Sequence, residues 1–310
     1  MLFRSEQLVQ SDEYAEAAHY QLARLHFEQG SLYPAFQYAS NGAALFPENT
    51  WMLRLKAQCA KQLGDTKSAG AAFEALAELQ PGQPEYLFDA ISVYLQGNAL
   101  EDALRVLGTV AREYGTTPEL VSDQVSLHLQ QNDAKSAENV LKEAIKTHPS
   151  VPEYYGLLSQ FYDGKGKKAI KLLEKAVERF PLNGALHMEL ARISQRYGKT
   201  AQAMYHMEQG LVLDGVPLED LMPVALSIYQ NRANPEFGAL YERVAPVLEK
   251  KYQGTLPFTL FQAEIYLHEE RYEEAIELYM QAIELDPKNY ELYQIAYAIS
   301  SETGDWEGGL

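Results

Sequence analysis

The stretch Leu256–Asn289, LPFTLFQAEIYLHEERYEEAIELYMQAIELDPKN, decides the fold. Leu260, Ala263, Tyr266 and Leu267 recur at helical spacing, a polar turn follows, and a second series runs through Tyr272, Ala275, Ile276, Tyr279, Ala282 and Ile283. Asp286-Pro287 closes that series, since proline lacks the amide hydrogen a helix needs. Ala263, Ala275 and Ala282 are the small residues that let two helix backbones approach. The stretch predicts two short antiparallel helices joined by a tight turn.

The same slots recur outward along the chain in steps near 34 residues, a spacing that marks stacked helix pairs. The predicted repeats are 16–49, 50–83, 84–117, 118–151, 152–183, 184–217, 218–255 and 256–289, with the first helix of a ninth at 290–303. Ala23, Ala35, Ala39 and Pro47 fill the slots in the first repeat, and Ala57, Gly64, Ala69 and Pro81 in the second. In the third, Gly115 stands where proline is expected; glycine also ends helices, through the left-handed conformation it adopts cheaply. The fifth has a shortened turn, Asp163-Gly164-Lys165-Gly166. The seventh is the least regular, and Pro223, Pro235 and Pro246 are expected to interrupt its helices and bend the array. Phe3–Val9 reads as the tail of a second helix, and the chain stops at Gly304–Leu310 where another should begin. Both ends suggest a segment of a longer array, because a solenoid needs polar caps. No linker or low-complexity tract interrupts the series, so 1–310 reads as one continuous domain.

The residues Ala263, Tyr266, Ala275, Tyr279, Ala282 and Pro287 match the small, Tyr, Ala, aromatic, Ala and Pro positions of a repeat family, and the stretch resembles a tetratricopeptide repeat (TPR). That resemblance implies an all-α fold, a right-handed α-solenoid of stacked helix-turn-helix repeats with about eight full repeats and a partial one at each end. The order of repeats, with Arg112-Glu113-Tyr114-Gly115 closing the third, is similar to TPR arrays of bacterial cell-envelope lipoproteins. It implies a periplasmic or envelope location if a leader has been removed, and a cytoplasmic one otherwise.

Composition narrows the chemistry. A formal charge of -17 on 310 residues disfavours an extended phosphate-binding surface, so no nucleic-acid partner is expected. Cys59 is the single cysteine, which excludes an intrachain disulfide and a thiol-rich metal site and reads as a small buried residue. No run of about 18 apolar residues is present, so no membrane span is expected. Among seven histidines, His19 and His187 share one repeat slot, while His26 and His128 share another that Tyr94, Tyr162 and Tyr266 fill elsewhere. That rotation with tyrosine points to helix packing rather than catalysis. His268-Glu269-Glu270 lacks the second histidine of a zinc motif. Asp163-Gly164-Lys165-Gly166-Lys167-Lys168 lacks the preceding strand and the Ser or Thr of a phosphate loop. The carboxylates at Glu269-Glu270 and Glu273-Glu274 read as solvated helix faces, and no Gly-x-Ser-x-Gly elbow occurs. No catalytic residue, metal site or cofactor is expected, and the chain reads as non-enzymatic.

What remains is surface. In TPR arrays the first helix of each pair lines the concave side, and the resemblance places groove positions at Tyr20, Arg24, Phe27, Trp51, Arg54, Gln58, Lys61, Phe88, Ser92, Arg192, Gln195 and Arg196. Aromatic and arginine side chains of this kind anchor protein interfaces. Each also has a plainer reading, as a partly packed helix residue. The carboxylate clamp by which some TPR proteins grip a chaperone's C-terminal acid needs lysine and asparagine at fixed slots. Leu55, Glu85 and Asp89 stand in the way of that mode. The expected function is a protein-interaction scaffold holding a peptide segment or helix on the concave face. The alternative is a targeting or regulatory TPR segment of a larger enzyme, and self-association through uncapped terminal repeats is a further expectation. Charge is uneven: Lys135–Lys199 holds 12 basic and 7 acidic residues (12 minus 7, +5), whereas Thr255–Leu310 holds 2 basic and 12 acidic (2 minus 12, -10). Lys165, Lys167, Lys168, Lys171 and Lys175 are expected on a turn and a second helix facing the convex side, as a solvated face or as a docking site for an acidic partner or lipid headgroup.

Overall fold

Small residues set the spacing of the helices in the computed structural model, which describes residues 15–303 with side chains to 301. Ala23, Ala35, Ala39, Ala57, Ala69, Ala169, Ala176, Ala263, Ala275 and Ala282 are all fully buried, as close helix contact requires. The stretches Phe3–Val9 and Gly304–Leu310 lie outside the described residues. The fold class is all-α, an array of helix pairs of the α-solenoid kind; among the described residues there are helices and one isolated bridge, Asn183 with Asp214, but no strand.

The chain divides into two compact units, Met1–Thr147 and His148–Leu310. Unit 1 carries α1 (Ala15–Glu28), α2 (Leu32–Leu45), α3 (Thr50–Leu63), α4 (Thr66–Leu79), α5 (Glu85–Gln96), α6 (Leu100–Tyr114), α7 (Pro118–Gln130) and α8 (Ala134–Thr147). Their ends follow local chemistry. The Asn49 side chain accepts the Met52 amide at 2.9 Å to cap α3, and the Asp65 carboxylate accepts the Ser68 amide at 3.0 Å to cap α4. Gly64 turns the chain between them at φ +75, a conformation costly for any residue with a Cβ. A buried tyrosine ties neighbouring pairs together: the Tyr94 hydroxyl on α5 donates to Glu74 on α4 at 2.7 Å, and Arg105 on α6 donates to the same carboxylate. Cys59 is fully buried, and burial pushes its thiol up to about 11, so it is inert packing.

Unit 2 carries α9 (Glu153–Phe161), α10 (Gly166–Arg179), α11 (Gly184–Arg196), α12 (Thr200–Val212), α13 (Leu218–Gln230), α14 (Pro235–Tyr252), α15 (Leu256–His268), α16 (Tyr272–Leu285) and α17 (Tyr290–Thr303). The turn between α15 and α16 and the stop before Pro287 fall where the opening stretch predicts them. The buried Tyr279 ties together the two helices of its own pair, its hydroxyl on α16 donating to Glu264 on α15 at 2.6 Å.

The prolines of 218–255 act differently from the expectation. Pro235 lies in the first turn of α14, where its missing N–H has no helical partner to lose. Pro223 and Pro246 interrupt nothing: α13 and α14 continue through both. Each proline is exposed while Leu221 and Ala225, or Val244 and Leu248, are buried on the opposite side, so water can reach the freed carbonyl as the core holds the helix.

Candidate functional site

The first helices of unit 1 present three side-chain stripes. Tyr20, Arg24 and Phe27 on α1 stand at i, i+4 and i+7; Trp51, Arg54, Gln58 and Lys61 follow on α3; Phe88 and Ser92 follow on α5. Their environments differ. Tyr20 and Phe27 are half-buried against the cluster of Ala23, Ala35, Ala39, Leu55 and Cys59, so most of their apolar surface is already used. Arg24 is exposed and pairs with Glu28 at 3.4 Å. Trp51 is 63% exposed and Phe88 49%, unusual for side chains whose burial is worth roughly 1.5–3 kcal/mol or more each.

Arg54 joins two helices across this face. Its guanidinium lies 5.5 Å from the Trp51 ring centroid and 5.6 Å from that of Tyr86, and it donates to the Gln80 side chain at 3.4 Å. The contact sets a cation against the Trp51 ring while most of the indole stays in water. Gln58, Lys61 and Ser92 are exposed, and the Ser92 hydroxyl accepts from Gln96 at 3.3 Å.

A cleft of about 360 Å³ opens in unit 1 between α5, α6 and α7, with Ile91, Leu95, Leu107 and Leu127 among its apolar walls and Asp123 and Gln130 among its polar ones. Sequence reasoning missed it. Its one visible signal is Gly115, which leaves α6 at φ +102 without the tight stop a proline gives, and α7 restarts at Pro118.

The unit 2 candidates sit in an ion-pair network. Arg192 donates to Glu189 at 2.8 and 2.9 Å and to Asp163 at 3.3 Å, and Arg196 bonds the other Asp163 oxygen. The two guanidiniums help hold the Asp163 carboxyl below the usual range against the opposing effect of desolvation. Both arginines on α11 are thus engaged by carboxylates of their own chain, whereas Gln195 is simply exposed.

His187 and His206 form a buried pair that the sequence did not reveal. Their Nδ1 atoms are 2.9 Å apart, and His187 Nε2 lies 3.2 Å from the Pro181 carbonyl oxygen. A carbonyl only accepts, so His187 carries its proton on Nε2 and accepts on Nδ1 from His206. Burial lowers both rings, and His206, which also faces His187, is pushed down to about 4. Two neutral rings in mutual contact are a packing arrangement; among the described residues no group of three or more His, Cys, Asp or Glu side chains is placed to hold a metal. His19 is also buried, and His26 stacks on Tyr38 with centroids 5.6 Å apart.

Tetratricopeptide repeat models match residues 54–116 and 260–289. Both stretches therefore carry tetratricopeptide repeats, a class that serves in general as a scaffold for protein–protein interaction. Repeats of this family are typically non-enzymatic. No helix among the described residues is long and apolar enough to cross a membrane. No curated protein matches the sequence.

Among solved structures, the chain is similar to a crystal structure of MamA protein at 20% identity, covering 55% of this chain and 100% of that one with a TM-score of 0.36. It is similar to MamA 41-end from Desulfovibrio magneticus RS-1 at 21% identity, covering 52% and 92% with a TM-score of 0.34. A tetratricopeptide repeat protein from Parabacteroides merdae matches at 13% identity over 92% of this chain and 98% of its own, again with a TM-score of 0.34. Scores of this size carry no argument about partners.

Proposed function

We propose that unit 1 is a non-catalytic docking platform on which a peptide segment or helix of another protein lies across α1, α3 and α5. The observation that carries this reading is the exposure of Trp51 and Phe88 on successive first helices, with Arg54 stacked between Trp51 and Tyr86. A large exposed ring has much apolar surface left for a partner to bury, and aromatic rings of this kind anchor protein interfaces. Arg24, Gln58, Lys61 and Ser92 would border the contact as polar rim, and Tyr20 and Phe27 would support it from below. Arg192, Gln195 and Arg196 of unit 2 form a weaker candidate face, because Asp163 and Glu189 already occupy both guanidiniums.

The test is affinity capture from the native source with the full chain, repeated with Trp51→Ala plus Phe88→Ala. Helical circular dichroism is expected to stay unchanged while the captured partner is lost. Undiminished capture by the double variant would place the binding surface elsewhere.

A further inference from the structure

Two second helices of unit 2 carry opposite charge in matching slots. Aligning Ala169 and Ala176 of α10 with Ala275 and Ala282 of α16, all fully buried, sets Lys167 against Glu273, Lys171 against Glu277 and Lys175 against Gln281. Glu178 and Glu284 share the next slot. The three lysines, and Glu273, Glu277 and Glu284, are exposed, and none has a hydrogen bond or ion pair within the described residues. Of the neighbours that could neutralise them, Glu174 takes Gln202 at 2.8 Å, Glu274 takes Arg271 at 2.8 Å and Lys168 covers the Tyr162 ring at 3.8 Å, while Glu178, one turn from Lys175, is exposed.

We propose that unit 2 pairs with a second copy of this chain through these faces, α10 of one copy against α16 of the other. Charge complementarity selects the occupant. A lysine stripe alone fits any anion, but the matching acidic stripe sits in the same repeat slots of the same polypeptide. Equivalent slots project from the same side of their helix pairs, so a two-fold axis between them brings α10 onto the partner copy's α16 and α16 onto its α10. Such an isologous contact closes on itself and repeats the complementarity twice. The chain's charge of -17 opposes association at long range, so the contact depends on these local patches.

The experiment is sedimentation equilibrium over a concentration series at about 0.1 M and about 1 M salt, where the screening length falls from about 10 Å to about 3 Å. At the lower salt the mass is expected to rise toward two chains, and at the higher salt association is expected to weaken at least tenfold. Lys167→Glu with Lys171→Glu and Lys175→Glu gives a chain acidic on both helices, and Glu273→Lys with Glu277→Lys and Glu284→Lys gives one basic on both. Each is expected to stay monomeric alone, with unchanged circular dichroism, and an equimolar mixture is expected to recover the dimer. A monomeric wild type at 0.1 M salt overturns the proposal. So does a dimer that survives both reversals, or a mixture that fails to pair. Binding of a monomeric wild type to vesicles of anionic lipid through the same lysines would overturn it in favour of a membrane surface.

Discussion

Unit 1 and unit 2 both place arginine on first helices, and the two put it to different ends. On α3, Arg54 lies against the Trp51 and Tyr86 rings with no carboxylate partner among the described residues, so it organises an aromatic surface that water still reaches. On α11, Arg192 and Arg196 are spanned by Asp163, with Glu189 completing the set. The difference lies in what stands beside each guanidinium. Asp163, from the preceding repeat, comes to rest beside Arg192 and Arg196 and takes up their donors, whereas Arg54 meets only the Gln80 side chain, 26 residues later at the end of its own repeat, and is left to the rings. Arginine in a groove slot is therefore an interface residue only where its neighbour lets it be one.

The comparison breaks first on binding. Trp51→Ala with Phe88→Ala is expected to weaken partner capture tenfold or more, since buried aromatic anchors are worth about 2 kcal/mol and upward. Arg192→Gln with Arg196→Gln is expected to change capture by less than about twofold, and titration of the isolated partner would show whether that ranking reverses.

Acid separates the units next by degree, since burial also lowers the His19 imidazole in unit 1. His187 and His206 are held neutral in the folded state, and His206 is depressed to about 4, so the unfolded chain binds protons that the folded chain refuses. Stability is complete above the unfolded value of about 6.5 and falls as pH drops toward 4, by up to about 3 kcal/mol from His206. Urea unfolding across that range should show the slope in wild type and flatten in His206→Phe; a slope that persists in the variant would assign it to other groups.

Backbone approach gives a smaller contrast. A Cβ at Gly70 in unit 1 would meet the Tyr94 ring, which is 2% exposed, and one at Gly166 in unit 2 would meet the Tyr197 ring, which is 44% exposed. Gly70→Ala is expected to cost about 1–3 kcal/mol, because the enclosed ring and its bond to Glu74 leave nowhere to move. Gly166→Ala should cost visibly less, as the Tyr197 ring can swing toward water. Melting temperatures of the two variants would order them.

The smallest effect expected is from Asp163→Asn. Removing a solvent-screened carboxylate from Arg192 and Arg196 should alter stability only slightly. Hydrogen exchange at both guanidiniums should nevertheless quicken, the sign that unit 2 has become more like unit 1. Unchanged exchange at Arg192 would mean that Glu189 alone holds it.

Much of the fold was open to reading because small residues and helix stops recur at a fixed period, and a helix pair needs both. Pro223 and Pro246 misled for a reason of the same kind: the sequence shows that an N–H is missing, but not that the ring faces water while Leu221 or Val244 anchors the other side. The candidate site was legible in part. Trp51 and Phe88 stand out by type and slot, but Tyr20 and Phe27 share those features and are half-buried in the core. Asp163 had been noticed only as part of a turn, although its separation of 33 residues from Arg196 is close to one repeat and was a usable clue. His187 and His206, 19 residues apart on the two helices of one pair, gave no comparable sign.

The sequence by itself determined that this chain is an array of TPR-like helical repeats, that its helices come in pairs, and where most of them begin and end. Those properties depend on periodic small residues, caps and stops, which act over a few neighbouring positions. Only the tertiary structure decided which arginines are spent on carboxylates, which rings remain in water, which histidines touch and where a cleft opens. Those outcomes depend on side chains a repeat apart competing for the same few ångströms, and that competition is settled by packing.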